Sequence, residues 1–309
     1  MELNSCLIIG GAKTAANLKA FLDKKDIANQ LYFFEGEYAS KRKIGQPFNQ
    51  SVLEQSENCI ITSETAFQNI PKSKRDFYKN HYYLRDKRNL DAIAKKIEVN
   101  FIIELNKNDQ LSFPIIAKPE ESSAGKVPFK FKVIHNQQEL NGIEAFVNFC
   151  ILQPYLERKN YNQLAVAGYF DGSPSSLMAA KQFSQYPIGV SALVVNFTSH
   201  YQNVIQSVAV FLNEIGYKGF IEFEFKEKKS DDVLYLMDIN PRTWGWSNYY
   251  LEGIQNFPAV LEGKEPLQLK LKKAWINTPR WILSLKNGTF KRPQLKWLVK
   301  NNISYEPYF

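Results

Sequence analysis

Two neighbouring stretches hold the residues with the most chemical content, 219-GFIEFEF-225 and 233-VLYLMDIN-240, the second running on into 241-PRTWGW-246. Both read as strands joined by the charged turn KEKKSDD, most simply an antiparallel hairpin. Side chains alternate between the faces of a strand, so Glu222 shares a face with Glu224, and Asp238 with Asn240. Adjacent strands of this kind can bring carboxylates and an amide oxygen to one point. Such hard oxygen donors suit magnesium, which takes one or two carboxylates and leaves its other positions to phosphates and water. Glu224 is either a further member of this set or an ordinary surface acid. Asp238 follows two apolar residues, where an unpaired carboxylate is costly, so the reading for it is a paired one.

Length and charge limit what such a site can belong to. The chain has 309 residues, 44% of them hydrophobic, enough for two to three packed lobes. No apolar run approaches the roughly 18 to 20 residues of a membrane span, and CLII near the start is too short for a secretory signal, so the expected location is the cytoplasm. Cys6, Cys59 and Cys150 lie far apart with no metal-ligand spacing and read as reduced core residues. Residues 264–309 hold 10 of the 39 basic residues but only 2 of the 31 acidic ones, so the formal charge of +8 resides there and the rest of the chain is balanced. With Trp275, Trp281 and Trp297 between its cations, this segment is either a solvated basic face on a helical extension or a contact for an anionic membrane surface, nucleic acid or substrate. No nucleic-acid motif accompanies it, and no nucleic-acid partner is expected.

The elements that must position the acids alternate between strand and helix patterns. SCLIIG at 5–10, the helical pattern at 12–24 and QLYFFEG at 30–36 form strand, glycine turn, helix and strand, the start of a Rossmann-like parallel sheet. GGAKTAAN is not GxGxxG, and a tight strand-to-helix turn accounts for its glycines better than a dinucleotide does. NCII at 58–61 is another strand. A second region begins near Arg85-Asp86-Lys87, with the helical pattern NLDAIAKKI, strands at 99–105 and 113–119, the polar loop 120-EESSAGK-126, the strand KFKVI, and a helix from about 136 to 148. Then follow a strand breaking at a proline in FCILQPYLER, the strand LAVAGYF with its DGSP turn, and a helix at 203–215 that stops at Gly216.

In this order the motifs resemble the ATP-grasp superfamily of carboxylate-amine ligases over most of the chain. GFIEFEF and LYLMDINPR are similar to the family's paired magnesium strands. The resemblance makes Glu222, Asp238 and Asn240 metal ligands and places Arg242 on the transferred phosphoryl group. FPIIAKP is similar to the family's FP-V-V-x-K-P strand and puts Lys118 on the α- and β-phosphates; Lys87, after Asp86 and before a helix, matches the more N-terminal nucleotide lysine. QPYL, that is Gln153, Pro154, Tyr155 and Leu156, falls where the family's hinge binds adenine through its backbone. Asn162 falls near the ribose position, where the family more often has glutamate. Ser122 and Ser123, in the loop EESSAGK, would cover the phosphates.

The resemblance implies an α/β chain with the ATP-grasp fold. Its parts would be a Rossmann-like pre-ATP-grasp lobe at 1–78, a small α/β lobe at 79–150, and a larger C-terminal α+β lobe at 151–309 ending in the basic extension. It implies ATP and Mg2+ as cofactors, with Mn2+ as an alternative ion, and small-molecule carboxylate and amine substrates joined through an acyl phosphate. Phosphoryl transfer to a carboxylate needs lysines, metal and arginine around the phosphates rather than a protein nucleophile, which agrees with these residue types. NPRTWGWSNYYLEGIQNFP and KQFSQYPIGVSALV resemble more narrowly the D-aspartate ligase-like subgroup, in which Lys181, Tyr186 and Ser191 would line the second-substrate pocket. Trp244 and Trp246 would either wall that pocket or pack at a strand-to-helix turn. Three other readings remain: a bicarbonate acceptor as in carboxylases, a non-catalytic nucleotide-binding module, and a nucleic-acid binder driven by the tail.

Overall fold

A computed structural model describes residues 6–51, 59–120, 126–129, 131–187, 189–286 and 303–306. Ser122, Ser123 and Trp297 lie outside the described residues. Inter-residue contacts divide the chain into two units. The first comprises 1–81, 164–223 and 239–309, and the second 82–163 and 224–238, so that both divisions of the acid-bearing stretches fall inside strands.

The first unit opens with β1 (Cys6–Ile9), β2 (Asn29–Phe33), β3 (Gln46–Pro47) and β4 (Cys59–Ile61) in a parallel sheet of order β3-β2-β1-β4. All four residues of β1 are buried, as expected of a strand covered on both faces of a parallel sheet. Helix Lys13–Lys24 connects β1 to β2 and buries Ala15, Ala16, Leu18 and Leu22, positions at helical spacing. Gly10 adopts φ +108° at the turn between them, and a Cβ there would lie 2.5 Å from Ser63 Oγ, so both the backbone angle and the space require glycine.

In the second unit, β5 (Asn100–Phe101) is far shorter than the strand expected at 99–105, and Ile103 is exposed. The chain leaves the ladder there, Leu105 N–H donating to Leu152 O. β6 (Ile115–Pro119) is the centre of a three-stranded sheet between β7 (Lys132–Ile134) and β8 (Cys150–Pro154), antiparallel to both. The helix expected at 136–148 is two short helices, Gln137–Asn141 and Glu144–Val147. Gly142, a poor helix former, sits at the break. Ile115, Ala117, Ile134, Leu140 and Leu152 form the core of this small sheet.

The remaining strands are β9 (Tyr161–Phe170), β10 (Leu177–Gln185), β11 (Ser191–Asn196), β12 (Gly219–Lys228), β13 (Leu234–Asn240), β14 (Ala274–Ile276) and β15 (Ile303–Tyr305). With β5 they make an eight-stranded sheet of order β15-β14-β11-β10-β9-β12-β13-β5. Helix Gln202–Glu214 precedes β12, as the apolar spacing and Gly216 predict, and β12 and β13 are neighbours joined by a short turn. The basic C-terminal segment differs from a plain helical extension. β14 and β15 add two strands to the sheet edge, Trp275 is fully buried, and Trp281 packs against Leu193, Val195 and Ile276.

Trp244 and Trp246 settle into the core of the first unit, each only 1% exposed and edge-on to the other at 5.3 Å. They pack with Tyr249, Tyr250 and Phe257 from the helices that follow and with Ile8 and Leu18 of the N-terminal sheet and helix. The two tryptophans of the NPRTWGW motif therefore pack inside the unit rather than presenting aromatic faces to solvent. Neither indole N–H has a hydrogen-bond partner among the described residues. Trp246→Ala should cost about 3–5 kcal/mol of stability, read as a fall in the thermal midpoint, and Trp246→Phe much less because no hydrogen bond is lost. A Trp246→Ala midpoint equal to wild type would contradict this packing role.

Candidate functional site

Within the second unit, Lys118 lies on β6 with Ile151 of β8 as its register partner. Its Nζ donates to Gln153 Oε1 at 3.2 Å, while Gln153 Nε2 donates to Ile102 O at 3.0 Å, so a buried amide is fixed and in turn fixes the lysine. The Lys118 ammonium pKa is pushed below the usual lysine range by loss of water around it, opposed by the carboxylate of Asp238, pushed further down by Lys87 and opposed again by Glu224. Lys87, Lys118, Asp238 and Glu224 are therefore within one electrostatic neighbourhood, although only Lys118 and Asp238 come from motifs with close sequence matches. Lys87 begins the short helical turn Lys87–Asn89, capped by Asp86, whose carboxylate accepts from Arg88 N at 3.1 Å. The guanidinium of Arg88 holds the Asp86 carboxyl below its ordinary value.

β12 extends the acid series one step further than the sequence reading did. Glu222, Glu224 and Lys226 occupy alternate positions, hence one face of the strand. Burial pushes the Lys226 ammonium down to about 8, Arg158 adds to the effect, and Glu224 opposes it. Gln163 Nε2 donates to Glu224 Oε2 at 3.1 Å, on this same face. Its neighbour Asn162 donates to Glu227 Oε2 at 2.7 Å, and Glu227 is fully buried on the opposite face. The structure thus turns Gln163, rather than Asn162, towards Glu224 and Lys226. Lys226, Gln163 and Arg158 were missed in the sequence; continuing the period of two past Glu224 would have found Lys226.

At the end of β8, Gln153 is buried behind Lys118, Pro154 pairs with Ile115, and Tyr155 N–H donates to Pro114 O at 3.0 Å. Pro154 has no backbone donor.

Within the first unit, Asn240 Nδ2 donates to Glu222 Oε2 at 3.2 Å, and Glu222 is 5% exposed. Asp238, two residues earlier on β13, belongs to the second unit. Arg242 is held at three nitrogens, by Asn240 Oδ1 at 3.0 Å, Thr243 O at 3.0 Å and Glu64 Oε1 at 2.7 Å. Glu64 carried no sequence signal, because it comes from the start of a helix 178 residues earlier. Glu222 and Asn240 in this unit, and Asp238 in the second, each offer oxygen, the chemistry that fits Mg2+, and among the described residues no group of three or more His, Cys, Asp or Glu could hold a metal unaided. Mg2+ on donors of this kind takes phosphate and water oxygens at its other positions.

Other predicted residues divide. Ser191 Oγ donates to Gln182 Oε1 at 2.7 Å, and Gln185 Nε2 donates to the same oxygen. Lys181, one position before Gln182 on β10, instead lies over the rings of Phe197 and Tyr201 at 4.9 and 5.2 Å. Tyr186 donates its backbone N–H to Val190 O and turns the chain between β10 and β11. At the N-terminal glycine turn, the carboxylate of Glu37 accepts from Gly11 N, from Phe34 N at 2.8 Å and from Ser63 Oγ at 2.7 Å. The chain's own acid therefore takes the amide that a phosphate would use in a dinucleotide fold, consistent with the missing fingerprint. The three cysteines are free, and burial, with Cys59 nearby, pushes the Cys6 thiol up to about 12.

No protein-family model matches the chain, and no curated protein matches its sequence. Solved structures do. N5-carboxyaminoimidazole ribonucleotide synthetase in an ADP complex superposes with a TM-score of 0.64 at 12% identity, over 87% of this chain and 79% of that one. L-amino acid ligase from Bacillus licheniformis gives 0.61 at 12% identity, over 89% and 79%. The biotin carboxylase domain of 2-oxoglutarate carboxylase from Hydrogenobacter thermophilus, solved with MgADP and bicarbonate, gives 0.62 at 13% identity, over 88% and 73%. No helix among the described residues is long and apolar enough to cross a membrane. At these identities the likeness is one of fold: the chain has the mixed α/β fold of the ATP-grasp enzymes.

Proposed function

We propose that the chain is an ADP-forming, ATP-dependent ligase that activates a carboxylate as an acyl phosphate and joins it to an amine. The observation that supports it most is Lys118: a lysine partly withdrawn from water, fixed by a buried amide and surrounded by Lys87, Asp238 and Glu224. Surface lysines do not carry this environment, and a phosphate oxygen would restore what burial takes from the ammonium. In this reading Lys118 and Lys87 hold nucleotide phosphates. Glu222, Asp238 and Asn240 hold Mg2+, which when bound neutralises phosphate charge. Arg242 takes charge that builds on the transferred phosphoryl group and then polarises the acyl phosphate for attack by the amine. Of Gln153, Pro154, Tyr155 and Leu156, the backbone donor offered to an adenine would be that of Leu156, since Pro154 has none and Tyr155 is committed to Pro114. Ser122 and Ser123 keep their proposed place over the phosphates, and Asn162 its place near the ribose, where it would have to leave Glu227 or cede the contact to Gln163. The division into 1–78, 79–150 and 151–309, and a cytoplasmic location, belong to the same proposal.

A carboxylase-type acceptor is the second reading, favoured by the neighbour solved with bicarbonate and by the carboxyaminoimidazole ribonucleotide synthetase. Transfer of label from bicarbonate into product would select it; label-free product from an acid and an amine would select the first reading.

Two measurements test the proposal. ADP release should require magnesium and an acid-amine pair drawn from pooled amino acids and small carboxylates. Asp238→Asn or Lys118→Ala should lower it by about 100-fold or more with the fold intact; wild-type turnover in both variants would refute the site. The second concerns Lys226, which is partly neutral near pH 8 to 9 because its pKa lies at about 8. A bound polyanion favours the charged form and raises that pKa, so nucleotide binding should take up protons in this window. Calorimetry of MgADP binding at pH 8.5 in two buffers of different ionisation enthalpy should show uptake that is reduced in Lys226→Met. Equal uptake in the two proteins would remove Lys226 from the nucleotide site.

A further inference from the structure

We infer that Glu64 is a positioning residue for Arg242, an inference that rests on the ligase reading and adds a residue to it. Arg242 Nε donates to Glu64 Oε1 at 2.7 Å, and the same pair forms a salt bridge. The other two recorded contacts of the guanidinium, to Asn240 Oδ1 and Thr243 O, come from within two residues of Arg242 itself. Those contacts follow the arginine wherever its own loop moves. Glu64 is different, because it belongs to helix Glu64–Asn69 at the end of β4 in the N-terminal sheet.

The anchor behind Glu64 is firm. Ser63, its predecessor, caps the helix by accepting from Ala66 N at 3.2 Å and donates its hydroxyl to Glu37 Oε1 at 2.7 Å. Glu37 in turn accepts from the backbone of Gly11 and Phe34, on the turns that follow β1 and β2. Thr62, just before, donates to the carbonyls of Ile9 and Gly10 at 3.1 and 2.9 Å. On the other side, Arg242 passes the restraint on: its Nη2 holds Asn240, and Asn240 donates to the candidate metal ligand Glu222. A planar guanidinium fixed at three nitrogens has its plane as well as its position set, and the Glu64 contact refers that plane to the sheet.

Stability does not account for the pair. The Glu64 side chain is 50% exposed and that of Arg242 23% exposed, and ion pairs of this exposure contribute little to folding. An arginine that must meet a phosphoryl oxygen in a fixed direction gains from such a contact in another way, since misplacement of a catalytic group by a fraction of an ångström is felt in rate.

The test combines kinetics with a measurement that needs no turnover. In 15N-arginine-labelled protein, the Nε–H signal of Arg242, assigned by its absence in Arg242→Lys, should shift and exchange faster with solvent in Glu64→Ala. Magnesium-dependent ADP release should fall about tenfold or more in kcat for Glu64→Ala, and less for Glu64→Gln, with KM for ATP changed less than about twofold and the thermal midpoint retained. In an Arg242→Lys background the same Glu64→Ala change should cost less than about threefold, because the partner it acts through is gone. An unchanged Nε–H signal, equal losses in both backgrounds, or a raised KM for the acceptor with kcat intact would overturn the inference, the last by making Glu64 a substrate contact. If wild type releases no ADP, the ligase reading fails by itself, while the Arg242 signal still decides whether Glu64 holds the guanidinium.

Discussion

The period of two along β12 is the constraint on which the rest of the candidate site depends. Ile221, Phe223 and Phe225 are fully buried, and the residues between and beyond them are Glu222, Glu224 and Lys226. A slip of one residue would drive Glu222, Glu224 and Lys226 into the side that buries Ile221, Phe223 and Phe225 and turn those three outward, so the hydrophobic pattern fixes the register. β9 shows the same rule from its own side. Asn162 and Gln163 are adjacent, yet one reaches Glu227 and the other Glu224. Glu222 and Glu224 thus share a face because the positions between them are needed for the core, and no separate device has to aim them.

Once aimed, these groups owe their properties to partial removal from water. Lys118 and Lys226 both have ammonium pKa values below the usual range, and in each case burial is the leading cause, with carboxylates opposing it. Carboxylate partners nearby keep the cost of two such lysines tolerable without neutralising them fully. In the proposed reaction that balance would suit a polyanionic ligand carrying a divalent cation, since phosphates would satisfy the lysines and the cation the acids. Paired acids alone, or paired lysines alone, would leave one sign of charge uncompensated once the ligand departed.

How much of this was legible in the sequence depends on whether the information is local. The parallel start of the first unit was readable, because CLII is apolar throughout and the next helix buries Ala15, Leu18 and Leu22 at helical spacing. That Asp238 and Asn240 lie at alternate positions of one strand, and Lys118 on another, was readable from alternation and apolar runs. The strand at 99–105 was not, since its apolar letters fit a strand while only two residues find a partner. Glu64 and Gln163 were beyond reach for a related reason: each is given its meaning by a contact with a residue remote in the chain, as Arg158 is by its charge near Lys226, and a polar residue looks alike whether solvated or engaged. The tryptophans of the NPRTWGW motif were ambiguous for want of burial, which composition does not supply.

Glu37 and Glu64 show how a sheet built like a nucleotide fold can serve another purpose. In such a sheet, the turn after the first strand ordinarily leaves backbone donors for a phosphate. Here Glu37 takes the Gly11 amide, and its second oxygen accepts from Ser63. Because Ser63 caps the helix that begins with Glu64, the acid that closes the glycine turn also steadies the acid that holds Arg242. The interaction that occupies the glycine turn is therefore part of the support for Arg242. This links the loss of the dinucleotide fingerprint in GGAKTAAN to the arginine of NPRTWGW through four side chains of one unit, a connection that neither motif displays when read by itself.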